Sequence, residues 1–171
     1  FTIRGVADTS LAAPSASTLT EDDAITTVSG TLIGPDPEED TLTYSVSGSI
    51  EVDGVYTAAG TYGTLVVNKV TGDYIYTLDN TKNETNELAA GSTVTETFTV
   101  RTTDGTNRAS QKLTINITGS NDTPVLTVPS GGSVAEGGTT TVSDTLSATD
   151  AETSALTFSI IGETASEGSY N

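Results

Sequence analysis

The chain repeats itself at long range, and that repetition constrains its architecture more than any other feature. Ile3-Arg4-Gly5-Val6-Ala7-Asp8-Thr9 returns as Ile117-Thr118-Gly119-Ser120-Asn121-Asp122-Thr123, Val28-Ser29-Gly30-Thr31-Leu32 as Val142-Ser143-Asp144-Thr145-Leu146, and Leu42-Thr43-Tyr44-Ser45-Val46 as Leu156-Thr157-Phe158-Ser159-Ile160, all at an offset of 114. Asp36-Pro37-Glu38 returns at the same offset as Asp150-Ala151-Glu152, whereas Leu11, Pro14, Ser15 and Glu21 match Leu126, Pro129, Ser130 and Glu136 at 115, so one single-residue indel separates the two copies. Self-similarity at a fixed period is the signature of a tandem array. The expected organisation is residues 1–9 as the tail and linker of a preceding repeat, 10–124 as one complete repeat, and 125–171 as the N-terminal part of the next. With no methionine and no signal-peptide pattern, the stretch reads as an internal piece of a longer polypeptide.

Within one period the apolar residues alternate, which is the strand signature. Leu42, Tyr44 and Val46 alternate with Thr43 and Ser45; Phe98 and Val100 with Thr97, Thr99 and Arg101; Leu113, Ile115 and Ile117 with Thr114, Asn116 and Thr118. Gly63 to Val70 and Tyr74 to Asp79 flank Thr71-Gly72-Asp73 and read as a hairpin with Tyr74, Tyr76 and Leu78 on one face. Asp104-Gly105-Thr106-Asn107 reads as a second turn, and Leu88-Ala89-Ala90-Gly91 as one helical turn. Composition agrees, since the chain holds 35 Thr and 18 Ser, with 17 Gly to supply turns, and Thr and Val favour half-buried strands. The fold class is therefore all-β, an immunoglobulin/cadherin-like antiparallel β-sandwich in a tandem-repeat array. Residues 125–171 hold only the first strands of such a sandwich and leave its edges open.

Charge and missing residue types exclude several functions. The net charge is −17, from 23 acidic and 6 basic side chains, which opposes nucleic acid and anionic membranes. No apolar run is long enough to insert in a bilayer. Without His the chain lacks the usual general base and triad partner, and without Cys it lacks thiol chemistry and disulfides. Acidic pairs serve glycosidases, but here they cluster in turns and there is no Trp platform. The chain is not expected to be an enzyme.

A family resemblance rests on ordered motifs: Gly60-Thr61-Tyr62-Gly63-Thr64-Leu65, Gly72-Asp73-Tyr74-Ile75-Tyr76-Thr77-Leu78-Asp79-Asn80, Leu88-Ala89-Ala90-Gly91, Thr95-Glu96-Thr97-Phe98-Thr99-Val100, Thr103-Asp104-Gly105 and Gly119-Ser120-Asn121-Asp122-Thr123-Pro124-Val125. Over roughly 60–125 this resembles the VCBS repeat of large bacterial surface and RTX-type adhesins, while 18–48 and 133–162 resemble the opening of bacterial cadherin-like domains. The resemblance implies tandem sandwiches, an extracellular or cell-surface location, roles in adhesion or biofilm formation, and Ca2+ at repeat junctions, where carboxylates supply the hard oxygens that calcium takes. The RTX nonapeptide is absent, so this stretch is not the calcium β-roll.

By that resemblance Asn121-Asp122 corresponds to the linker before a proline, Asp150 and Glu152 to the paired acids opening the next domain, and Glu21 to the glutamate after the first strand. One site is expected from Glu21, Asn121, Asp122, Asp150 and Glu152, and a second, at the N-terminal junction, from Asp8, Asp36, Glu38 and Asp104. The plain reading of each acidic pair taken alone is a solvated turn. The expected partners are neighbouring repeats of the same polypeptide, with polysaccharide or a cell-surface receptor as the ligand of an adhesive module. A carbohydrate (polysaccharide)-binding module is the competing function, for which the six Tyr are the candidate platform. Glu96 shares its parity with Phe98, which is awkward for a carboxylate at a buried position, and it is placed near a strand end.

Overall fold

The computed structural model describes residues 10–34, 41–138, 141–153 and 155–159. The chain forms two compact units, Phe1–Asn121 and Asp122–Asn171. The first contains β1 (Ser17–Thr20), β2 (Thr27–Thr31), β3 (Thr43–Val46), β4 (Glu51–Val52), β5 (Val55–Ala59), β6 (Gly63–Asn68), β7 (Asp73–Leu78), the single turn α1 (Asn83–Asn86), β8 (Thr93–Thr103) and β9 (Arg108–Thr118). These strands make a four-stranded sheet in the order β1-β9-β8-β3 and a five-stranded sheet in the order β2-β7-β6-β5-β4. All pairs are antiparallel except β1 with β9, which run parallel from Ser17 opposite Ile115 to Thr20 opposite Thr118.

The alternation read from the sequence is the alternation that buries the core. Leu65 and Val67 from β6, Tyr74, Tyr76 and Leu78 from β7, Phe98 and Val100 from β8, and Leu113, Ile115 and Ile117 from β9 face inward between the sheets, with Leu19 and Leu32 beside them. Tyr76 and Phe98, one from each sheet, meet with ring centroids 5.9 Å apart and planes tilted by 56°, an arrangement favoured by the ring quadrupoles. The cores of the two long hairpins thus interlock by side-chain period alone.

Local chemistry sets the turns. The β6–β7 hairpin ends at Asn68 rather than continuing to Val70, because Asn68 Oδ1 accepts the N–H groups of Val70 (2.8 Å) and Thr71 (3.0 Å) and turns the chain there. Gly72, at φ +74°, completes that turn in the left-handed region that glycine tolerates. The helical turn expected at Leu88–Gly91 lies at Asn83–Asn86 instead. Just before it, Asp79 Oδ1 accepts both the N–H (3.0 Å) and the hydroxyl (2.6 Å) of Thr81 and bends the chain out of β7. Gly91 instead donates its N–H to Gly119 O (2.9 Å), tying this segment to the end of β9.

Glu96 explains its own parity. It is 7% exposed, on the inner face of β8, and a buried carboxylate is costly unless hydrogen-bonded. Its Oε1 accepts the backbone N–H groups of Thr61 and Tyr62 (the latter 3.1 Å), and its Oε2 accepts the Tyr76 hydroxyl at 2.6 Å. Gly60 lets the carboxylate in, since a Cβ there would collide with it. Lys82 Nζ closes the network from outside by donating to the carbonyls of Gly60 (2.7 Å) and Thr61 (3.1 Å). One side chain therefore ties the four-stranded sheet to the β5–β6 turn of the other.

The second unit contains β10 (Val125–Thr127) and β11 (Ser147–Thr149), paired antiparallel with Val125 opposite Thr149. The repeat holds in three dimensions: Ala12 donates to Ile33 O at 2.8 Å in the first unit, and the residues at the repeat offsets are Thr127 and Ser147, which pair in the second.

Burial, with the Glu96 carboxylate second, pushes the Tyr76 phenol well above its ordinary value. The folded state thus favours the protonated phenol; this stabilisation is complete below the unfolded value of about 10 and is lost as pH rises beyond it. Urea denaturation at rising alkaline pH should show falling stability, with a shallower fall in Tyr76→Phe. That variant should also lose about 1–3 kcal/mol at neutral pH, because Glu96 Oε2 loses its donor; an unchanged alkaline slope would contradict the assignment.

Candidate metal centre

Glu21 closes β1. Its N–H donates to Thr118 O (2.9 Å), and its carboxylate Oε2 accepts the N–H of Ser120 (3.2 Å). At 1% exposure it is among the most buried polar side chains described. The parallel β1–β9 register brings it there, because Thr20 opposite Thr118 leaves Glu21 beside the chain as it leaves β9. Its neighbours close the turn themselves: Asp22 takes a left-handed φ of 58°, and Asp23 Oδ1 accepts the Ala24 N–H at 2.7 Å. Asn121, exposed, ends the first unit.

In the second unit the β10–β11 register brings together another pair. With Val125 opposite Thr149, continuing outward three residues sets Asp122 opposite Glu152. Glu152 Oε1 accepts the Asp122 N–H at 2.9 Å. Its Oε2 is buried with no hydrogen-bond partner. Asp150, two residues earlier, accepts the Thr153 N–H at 3.0 Å through Oδ1. All three acids are half-buried.

Asp104 sits elsewhere. The β8–β9 register runs from Thr93 opposite Thr118 to Thr103 opposite Arg108, so its turn lies at the far end of the hairpin from Glu21. There Oδ1 accepts the N–H groups of Thr106 and Asn107, both at 2.6 Å, and Oδ2 accepts Asn107 Nδ2 at 3.2 Å. This carboxylate shapes its own turn. Asp8, Asp36 and Glu38 lie outside the described residues.

Among the described residues no group of three or more Asp or Glu side chains is gathered as a ready metal cluster. What is built is two anchored carboxylates: Glu21 on the amide of Ser120, and Glu152 on the amide of Asp122. The donors are all hard oxygens, which suit calcium, and the chain has no His or Cys to favour a softer metal. Reading the residues alone did not find the Glu21–Ser120 contact. It depends on a parallel pairing across almost the whole domain, which side-chain alternation does not reveal.

A two-sheet sandwich whose first strand runs parallel to its last, with acids at its strand ends, defines a cadherin-like structural module. The model of the bacterial cadherin-like domain matches residues 7–119, and the chain belongs to that family. No curated protein matches it. Domains of this family are in general extracellular, non-catalytic structural modules, and calcium binding is typical of them. Among the described residues no helix is long and apolar enough to cross a membrane.

Glu21 has a structural role that needs no metal. Glu21→Ala should lower stability by about 1–3 kcal/mol in EDTA, because the Ser120 amide loses its acceptor in a buried setting. Urea denaturation in the chelator measures it, and an unchanged midpoint would show that this contact carries no stability.

Proposed function

We propose that this chain is an extender module of a large bacterial surface or secreted adhesin, stiffened by calcium and serving cell adhesion or biofilm formation. Its ligands for Ca2+ are Glu21, Asn121, Asp122, Asp150 and Glu152, and its immediate partners are neighbouring repeats of the same polypeptide. The observation that carries this reading is the pair of anchored carboxylates. Glu21 holds the amide of Ser120 and Glu152 holds that of Asp122, and these two amides flank Asn121 in the sequence. Without the cation the carboxylates repel one another and the linker flexes; with it their charge is neutralised and the linker is fixed. Extracellular modules of this type bind calcium at roughly 10⁻⁴–10⁻³ M, so the module is loaded outside the cell. By the repeat offset, Asp8, Asp36 and Glu38, with Asp104 from the far end of the β8–β9 hairpin, serve the preceding junction in the same way.

The polysaccharide reading loses its aromatic support. Tyr44, Tyr74 and Tyr76 are buried, and Tyr56 and Tyr62 pack against the core, so no tyrosine among the described residues offers an open platform.

Thermal melting with calcium titrated against EDTA tests the proposal. The melting temperature should rise at millimolar calcium, and Asp122→Ala combined with Asp150→Ala should abolish the rise without lowering the melting temperature in EDTA. A rise of equal size in the double variant would overturn the ligand assignment.

A further inference from the structure

The outer face of the four-stranded sheet is chemically unlike the rest of this acidic chain. In register, β8 and β9 place Thr93, Thr95, Thr97, Thr99, Arg101 and Thr103 beside Thr118, Asn116, Thr114, Lys112, Ser110 and Arg108 on that face. The edge strands continue it with Thr18 and Thr20 from β1 and Thr43 and Ser45 from β3. Every one of these side chains is exposed or half-buried, and none is a carboxylate. In a protein with 23 acidic residues, a whole sheet face built of hydroxyls, one amide and three cations is a marked segregation of charge.

The three cations are also clustered. Arg101 lies opposite Ser110, which makes Lys112 and Arg108 its diagonal neighbours on the partner strand, roughly 7–8 Å away between Cα atoms. Like charges so placed repel, and among the described residues none of the three forms an ion pair. The other described basic residues are engaged: Lys69 pairs with Glu51 at 2.6 Å and Lys82 holds the carbonyls of Gly60 and Thr61. An anionic ligand would offset that repulsion.

We propose that this face binds an acidic polysaccharide, with Arg101, Arg108 and Lys112 meeting its carboxylate or sulfate groups and the threonine rows meeting its hydroxyls. The net charge of −17 does not forbid this. Exposed charges are screened beyond a Debye length of about 8 Å at physiological ionic strength, and the opposite sheet alone stands about 10 Å behind this one. A single polysaccharide strand lying along β8 and β9 meets this face alone. Three contacts make the interaction weak and salt-sensitive. It needs no calcium and does not rest on the junction site.

The test is binding of the full chain to polygalacturonate in EDTA, followed by affinity electrophoresis, with dextran as the neutral control. Wild-type chain should be retarded by polygalacturonate and not by dextran, with affinity falling about ten-fold or more between about 0.02 and 0.3 M salt, by the counterion-release argument for polyanions. Arg101→Ser with Lys112→Ser should abolish the retardation while leaving the melting temperature within a few degrees, since both side chains are exposed. Absence of retardation in the wild type, equal retardation by dextran, or retention in the double variant each overturns the proposal. So does concentration-dependent self-association that the double variant removes in the absence of polygalacturonate binding, which would make the face a contact between copies.

Discussion

The pairing of β8 with β9 is the constraint on which the first unit depends. Eleven residues on each side stay in register from Thr93–Thr118 to Thr103–Arg108, and both edge strands of that sheet hang from the pair. Its inner face delivers Phe98, Val100, Leu113, Ile115 and Ile117 to the core. Its outer face carries the hydroxyl rows and the three cations. One end holds Glu21 through β1; the other carries the Asp104 turn. A one-residue slip would send each of these sets to the wrong face, so the register that builds the core also fixes both candidate functional surfaces.

A second constraint is the placement of carboxylates. Buried Asp and Glu are tolerated only where partners compensate, and the structure shows two uses of that rule. Glu96 is enclosed by the Tyr76 hydroxyl and two amides, and acts as a tie between sheets. Glu21 and Glu152 are each anchored by a backbone amide at a chain exit. Glu96 and Glu21 are both deeply buried, but the first joins two sheets whereas the second lies where the chain leaves β9.

Much of the fold was legible because period-two patterning is strong here. The β6–β7 and β8–β9 hairpins follow from alternation around Gly72 and Gly105, and the sandwich follows from the number of such strands. The helical turn was misplaced because it follows directly on the Asp79–Thr81 turn rather than on the apolar spacing of Leu88–Gly91. Glu96 was recognisable as an anomaly of parity, but its partners come from Tyr76 and a turn 34 to 35 residues earlier, beyond the reach of local pattern. The acids at Asp122, Asp150 and Glu152 were singled out through the repeat and the family resemblance; the β10–β11 register then explains why Asp122 and Glu152 meet. The basic face needed the register as well, since Arg101, Arg108 and Lys112 are not neighbours in the sequence.

If the proposed site holds, calcium fixes the linker that joins the two units. The chain has no cysteine, so Thr99→Cys with Ser133→Cys places one spin label on an exposed position of each unit. Pulsed electron spin resonance then reads the distribution of distances between the two labels. The distribution should be broad in EDTA and narrow to a single sharp maximum at millimolar calcium. A distribution of the same width with and without calcium would contradict it.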